Sequence, residues 1–212
     1  MAEDDGMAGT RRALLIGAGA TFATLPLHGP TLAQDPAGVV DAIAGEAHAV
    51  ASAGMRKLAT QASVFVGDLL TTGVASRLGV ALGRSTSLRL GAEAKLKIDR
   101  FIVDAGGEFT LESGVLRFDK PAPGKAPAKA PDLTFRSIYG VIAVRGTRFH
   151  AGQDRGRFAV FVDRGSVSVT AAGRTVVVAA GQGTDIANPG ATPSRPRVWP
   201  VARIRAFRAA VA

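Results

Sequence analysis

The chain has 212 residues, 26 of them Lys or Arg and 17 Asp or Glu, for a formal charge of +9; apolar residues make up 47%. That length fits one domain with appendages, and the apolar share is enough for a true core, so wholesale disorder is excluded. Cysteine is absent, which removes disulfides, Cys-ligated zinc, iron–sulfur clusters and thiol nucleophiles together.

The N-terminus reads as a targeting segment and is set apart from the fold. Arg11 and Arg12 precede an apolar run from Ala13 to Leu27, and the small-residue stretch Thr31-Leu32-Ala33 follows. The run is 15 residues long, shorter than the roughly 20 that a spanning helix needs. The expectation is a cleavable signal peptide over 1–33, with Gln34 as the mature N-terminus. Thr10-Arg11-Arg12-Ala13-Leu14-Leu15 resembles the twin-arginine export pattern. The acidic start Glu3-Asp4-Asp5 fits such a signal poorly, and initiation at Met7 removes the misfit. Cleavage leaves a charge of +10, and no other segment approaches membrane-spanning length. An exported protein does not meet the genome, so the basic balance points to anionic envelope ligands or acidic protein faces rather than nucleic acid. The densest basic set is Arg195, Arg197, Arg203, Arg205 and Arg208, read as a solvated cationic surface.

Residues 37–53 are Ala-rich and fit helix propensity or an alternating strand equally well. From there the period is two. Leu96 and Ile98, Phe109 and Leu111, Leu116 and Phe118, Phe158, Val160 and Val162, and Val167 and Val169 alternate with polar residues. Ser113-Gly114, Arg164-Gly165 and Ala172-Gly173 mark turns between runs. Short runs at regular spacing predict an all-β sandwich or barrel. The Pro-rich stretch 120–132, with Lys120, Lys125 and Lys129, reads as an extended loop and a weak candidate for anion contact. Pro200 to Phe207 predicts a short helix whose edge of Val201, Ile204 and Phe207 docks on the sandwich, with Trp199 as its anchor.

Four phrases in this β body resemble the FecR domain family, the periplasmic domain of ferric-citrate-regulator-type proteins. They are Val66-Gly67-Asp68-Leu69-Leu70-Thr71-Thr72-Gly73 with Ala75-Ser76-Arg77-Leu78, Gly83 to Gly91, Val141 to Phe149 containing Arg145-Gly146-Thr147-Arg148-Phe149, and Gly165 to Val169. The resemblance covers residues 45–186 and leaves 187–212 as a tail with the short helix. It implies a β-sandwich related to jelly rolls, with Gly45 to Gly54 as its first strand. The motif residues Gly67, Asp68, Thr72, Gly73, Arg145, Gly146, Thr147 and Phe149 are then scaffold. In the best-known members a membrane helix and a cytoplasmic anti-sigma segment precede this domain; here only the sensory or binding module carries over.

Candidate chemistry is sparse. Asp68 beside Gly67 is expected to accept turn amides, not to act as an acid or base. Gly146 is expected at a positive-φ or bulged position, with Arg145 and Thr147 satisfying local backbone groups and Phe149 facing the core. After processing the histidines are His48 and His150, too few for a three-His metal site, so neither metal nor cofactor is expected. Gly181-Gln182-Gly183 lacks the third glycine and following helix of a dinucleotide loop. The function expected is an exported, non-catalytic binding or sensory module in the periplasm, or secreted, contacting an envelope protein or an anionic envelope ligand. Two other readings stand beside it: contact regulation of a sigma factor or membrane sensor, and an envelope hydrolase.

Overall fold

The computed structural model describes residues 36–103, 105–121 and 133–212. The expected leader 1–33 and the loop residues Lys125 and Lys129 lie outside them. The strands run β1 (Pro36–Ala44), β2 (Ala47–Ala51), β3 (Gly54–Lys57), β4 (Ser63–Phe65), β5 (Leu69–Thr72), β6 (Arg77–Leu82) and β7 (Thr86–Leu90). They continue as β8 (Lys95–Ile102), β9 (Gly106–Ser113), β10 (Val115–Asp119), β11 (Leu133–Ser137), β12 (Gly140–Val144), β13 (Arg148–Asp154) and β14 (Arg157–Arg164). Last come β15 (Ser166–Ala171), β16 (Arg174–Ala179), β17 (Gln182–Ile186), β18 (Arg197–Val198) and the helix α1 (Val201–Ala209).

These strands make two nine-stranded sheets, so the fold is an all-β sandwich. One, here the first sheet, has the order β18-β17-β14-β13-β10-β7-β6-β1-β4; the other has β16-β15-β12-β11-β9-β8-β5-β2-β3. Strand order across both sheets follows chain order closely, because the chain lays short antiparallel segments alternately into one sheet and the other. Among the described strands the exception to antiparallel pairing is β9 with β11, which run parallel. The period-two pattern explains the layering. Inward residues such as Leu96, Ile98, Leu116, Val160 and Val169 are fully buried, while their strand neighbours stay partly or wholly exposed or face a second layer.

The centre of the core is aromatic. Phe109 and Phe135 from the second sheet stack with centroids 4.9 Å apart. Phe118 and Phe149 from the first sheet close onto Phe135 edge-on, at 4.9 and 5.3 Å. Offset and edge-on contacts of this kind suit the ring quadrupoles and add to the area buried.

The fold extends past the 45–186 span at both ends. β1 begins at Pro36 and lies between β4 and β6 in the first sheet, so Gly45 to Gly54, which carries β2, is preceded by a full strand. The Ala-rich stretch is strand because its residues pair on both edges, and tertiary pairing overrides the helix propensity of alanine. Residues after 187 are an integral layer, not a free tail. Trp199 and Phe207 are buried with Ala159 and Phe161 in a satellite core on the outer face of the first sheet.

Candidate functional site

The family phrases sit at strand ends and turns. Gly67 (φ +94°) turns the chain between β4 and β5, and buried Asp68 closes that turn: its Oδ2 accepts the Phe65 backbone N–H at 2.9 Å and pairs with Arg56. Thr72 Oγ1 donates to the Gly91 carbonyl at 2.6 Å and accepts from the Ala94 N–H at 2.9 Å, tying β5 to the β7–β8 connection. The Gly73 N–H donates to the Glu46 carbonyl at 2.9 Å. Gly146 has φ +60°, a left-handed conformation that side-chain-bearing residues disfavour, and a register shift follows it at Arg148/Phe149. Phe149 is fully buried in the aromatic cluster. Thr147 departs from expectation: its backbone carbonyl accepts from the Lys120 N–H at 2.9 Å, but its buried hydroxyl bonds to nothing. The two histidines lie on different sheets, His48 in β2 and His150 in β13, and no cluster of three His, Cys, Asp or Glu able to hold a metal occurs among the described residues.

The chemistry-bearing groups gather instead on the outer face of the first sheet. Register places one row of residues side by side across six strands: Gly79, Arg89, Arg117, His150, Phe161 and Gly183. Both end glycines lie against close neighbours, a movable guanidinium at 79 and a rigid ring at 183. A Cβ at position 79 would collide with the Arg89 guanidinium, and one at 183 would fall inside the Trp199 indole. Helix α1 covers the Phe161 end of the row and leaves the Arg89–Arg117 end uncovered by its apolar contacts.

The helix is held by charge as much as by apolar area. Arg203, 8% exposed, lies 3.5 Å over the Trp199 ring. Its Nη1 donates to Asp185 Oδ2 at 3.1 Å, its Nη2 to Asp185 Oδ1, and its Nε to Asp154 Oδ2 at 2.8 Å. Burial pushes the Arg203 value down, but the hydrogen bonds to Asp185 and Asp154 outweigh it and the net shift is upward. Arg208 Nε donates to Asp163 Oδ1 at 2.9 Å, and His150 Nε2 donates to Asp163 Oδ2 at 2.9 Å. Burial raises the Asp163 carboxyl, yet these two donors together hold it below its ordinary value. The expected edge of the helix is corrected here. Val201 is 72% exposed, and Arg203 takes the buried position beside Ile204 and Phe207. Within the cationic tail Arg195, Arg197, Arg205 and Arg208 are exposed, and Arg203 alone is buried; Arg197, Arg203 and Arg208 are each paired with a carboxylate.

Two clefts flank this helix end and share Arg117. The first, about 330 Å³, lies between β1, β6 and the C-terminal Val211 and Ala212, with Arg77, Arg89 and Arg117 in its lining. The second, about 470 Å³, is lined by Arg117, Arg148, His150, Asp163 and Arg208. Three of these cations have a carboxylate partner: Arg89 pairs with Asp41, with Nη2 to Oδ2 at 3.0 Å, Arg148 with Asp119 at 2.6 Å, and Arg208 with Asp163. The hydrogen bond to Asp119 raises the Arg148 value. Arg77 and Arg117 have no carboxylate partner among the described residues, and the Nε of each is buried without an acceptor. Sequence reading missed both. The signal was present as the partly exposed arginines of Ser76-Arg77-Leu78 and Leu116-Arg117-Phe118, but only the sheet pairing brings them to one cleft.

Comparison with known proteins agrees with this architecture. Residues 68–168 match the family model described as FecR protein, so these residues form a FecR domain. No curated protein sequence matches the chain significantly. Two crystal structures of a proposed anti-sigma factor from Parabacteroides distasonis ATCC 8503, at 1.65 and 2.50 Å resolution, share the fold with TM-scores of 0.54 and 15% identity. The matches cover 66% of this chain and 64% and 63% of those chains. At that identity the likeness is one of fold.

Proposed function

We propose that this protein is an exported FecR-type signalling module that works by contact with another protein and not by catalysis. The FecR match supports the signalling class, and the structural neighbours described as anti-sigma factors favour regulation of a sigma factor or of a membrane sensor as its specific form. The observation that carries the non-catalytic reading is how the carboxylates are used. Buried Asp68 and Asp185 and the partly exposed Asp163 each accept from arginine, and two also bond to a backbone amide or a histidine, so each carboxylate is already engaged in an ion pair. The twin arginines and short apolar run support export and processing.

The test uses the native gene with a C-terminal tag. The mature protein in the envelope fraction is expected to begin at Gln34 by mass spectrometry. In-cell crosslinking is expected to join it to one envelope signalling protein, and deleting the gene to change expression of a defined set of genes. A full-length chain in the cytoplasmic fraction, or turnover of an envelope polymer by the purified protein, overturns the reading.

A further inference from the structure

Two features of the 330 Å³ cleft are unexplained by any structural role. Arg77 and Arg117 both line it, and both guanidinium Nε atoms are buried with no acceptor, although most other arginines on this face have one. A buried donor left unmade is costly, and two guanidinium groups without a carboxylate partner lining one cleft add charge repulsion to that cost. Arg117 is also flanked in register by Arg89 on one side and His150 on the other, with Arg89 neutralised by Asp41 and His150 bonded to Asp163. The neighbouring carboxylates are therefore spent, and the excess positive charge belongs to Arg77 and Arg117. The rest of the lining is largely apolar. Ile43 and the buried Val211 line the same space, together with alanines of β1. Gly79, also in the lining, leaves room for the Arg89 guanidinium that packs over it.

We propose that this cleft is a binding site for a small organic monocarboxylate with a short apolar body. The paired Nη groups at the head of an arginine present donors that match the two oxygens of a carboxylate, and such charge-assisted pairs are the stronger hydrogen bonds. The carboxylate meets the Arg117 head group and offsets the charge of Arg77, while the apolar body lies against Ile43 and Val211. The volume stands at the small end of the range of ligand cavities, which fits a chain of a few carbons and not a nucleotide or a folded partner. This site is independent of the signalling assignment and stands whether or not that assignment does.

The experiment titrates the purified chain with hexanoate, acetate and inorganic phosphate at matched ionic strength. Melting temperature and the arginine Nε–H resonances in ¹H–¹⁵N spectra are followed. Hexanoate is expected to raise the melting temperature saturably and to move the Arg77 and Arg117 resonances. It should bind at least ~10-fold more tightly than acetate, because burying even two extra methylenes contributes that much. Arg117→Gln should abolish the saturable response, and Arg117→Lys should weaken it while keeping the charge, since a lysine has no fork. If Arg117→Gln does not fold, Arg77→Gln carries the same test. A linear response to hexanoate, equal effects of all three anions, or undiminished binding by the Gln variant overturns the proposal.

Discussion

Arg203→Met is the sharpest test of how the C-terminal layer is held. In the native protein Arg203 is nearly enclosed, bonded to both oxygens of Asp185 and to Asp154, and laid over Trp199. Methionine keeps much of the apolar stem but removes the cation. Asp185, 5% exposed, would then retain the long 3.5 Å contact to Arg197, which is itself mostly in solvent. Stranding a buried charge in this way costs about 3–5 kcal/mol. With a urea slope of ~2–3 kcal/mol/M, the midpoint should fall by roughly 1–2 M. The chain has one tryptophan, and it sits under the missing guanidinium, so its emission reports this layer alone. The emission should red-shift at lower urea than the loss of far-UV ellipticity from the sheets, because a nine-residue helix has little stability once undocked. Adding Asp154→Asn and Asp185→Asn should recover most of the loss, since replacing a whole buried ionic cluster is close to neutral. A single Arg203→Met variant within about 1 kcal/mol of wild type would refute the argument that the cluster is a buried, uncompensated liability when broken.

Gly146→Val places a β-branched residue at φ +60° and should cost about 1–3 kcal/mol, read by calorimetry as a lowered melting temperature; an unchanged melt would show that the turn tolerates a side chain. The Asp163 carboxyl is held below its ordinary value of 3.8, so its contribution is complete above about pH 4, where the unfolded carboxyl is also ionised, and is lost as pH falls through the lower folded value. Asp163→Asn should therefore flatten acid destabilisation below pH ~4 in equilibrium unfolding, and an unaltered acid limb would mean that the His150–Asp163–Arg208 contacts contribute nothing.

Much of the sandwich was legible because burial in a sheet imposes period two, and residues such as Ile98, Phe118 and Val160 show it without interruption. The turn glycines and the Arg145 to Phe149 phrase were legible for a related reason: backbone geometry restricts what can stand there. Three features were not. β1 carries Ala and Gly with only a few large apolar residues, so its sequence does not distinguish a strand from a helix, and only pairing with β6 and β4 decides it. The buried face of α1 was misread because a helical wheel counts arginine as outward, whereas two aspartates and an indole make an inward arginine the favourable choice. The basic cleft depends on register between strands separated by up to 40 residues or more in the chain, as in Arg77 and Arg117, and no local pattern encodes register at that distance.

Because strand order broadly follows chain order in both sheets, each strand touches mainly strands one to three places away along the chain. Cooperativity in such an arrangement is that of a one-dimensional chain of neighbours, where each unit is stabilised by two interfaces in the middle and by one at an end. The four-phenylalanine cluster occupies the middle, and the two-residue β18 closes one end with little edge for another chain to pair with. The molecule is thus built like a zip fastened at its centre. Losing or adding a hairpin at either end changes its length while leaving the central teeth engaged, and this gives evolution an inexpensive way to vary the ends on one constant body.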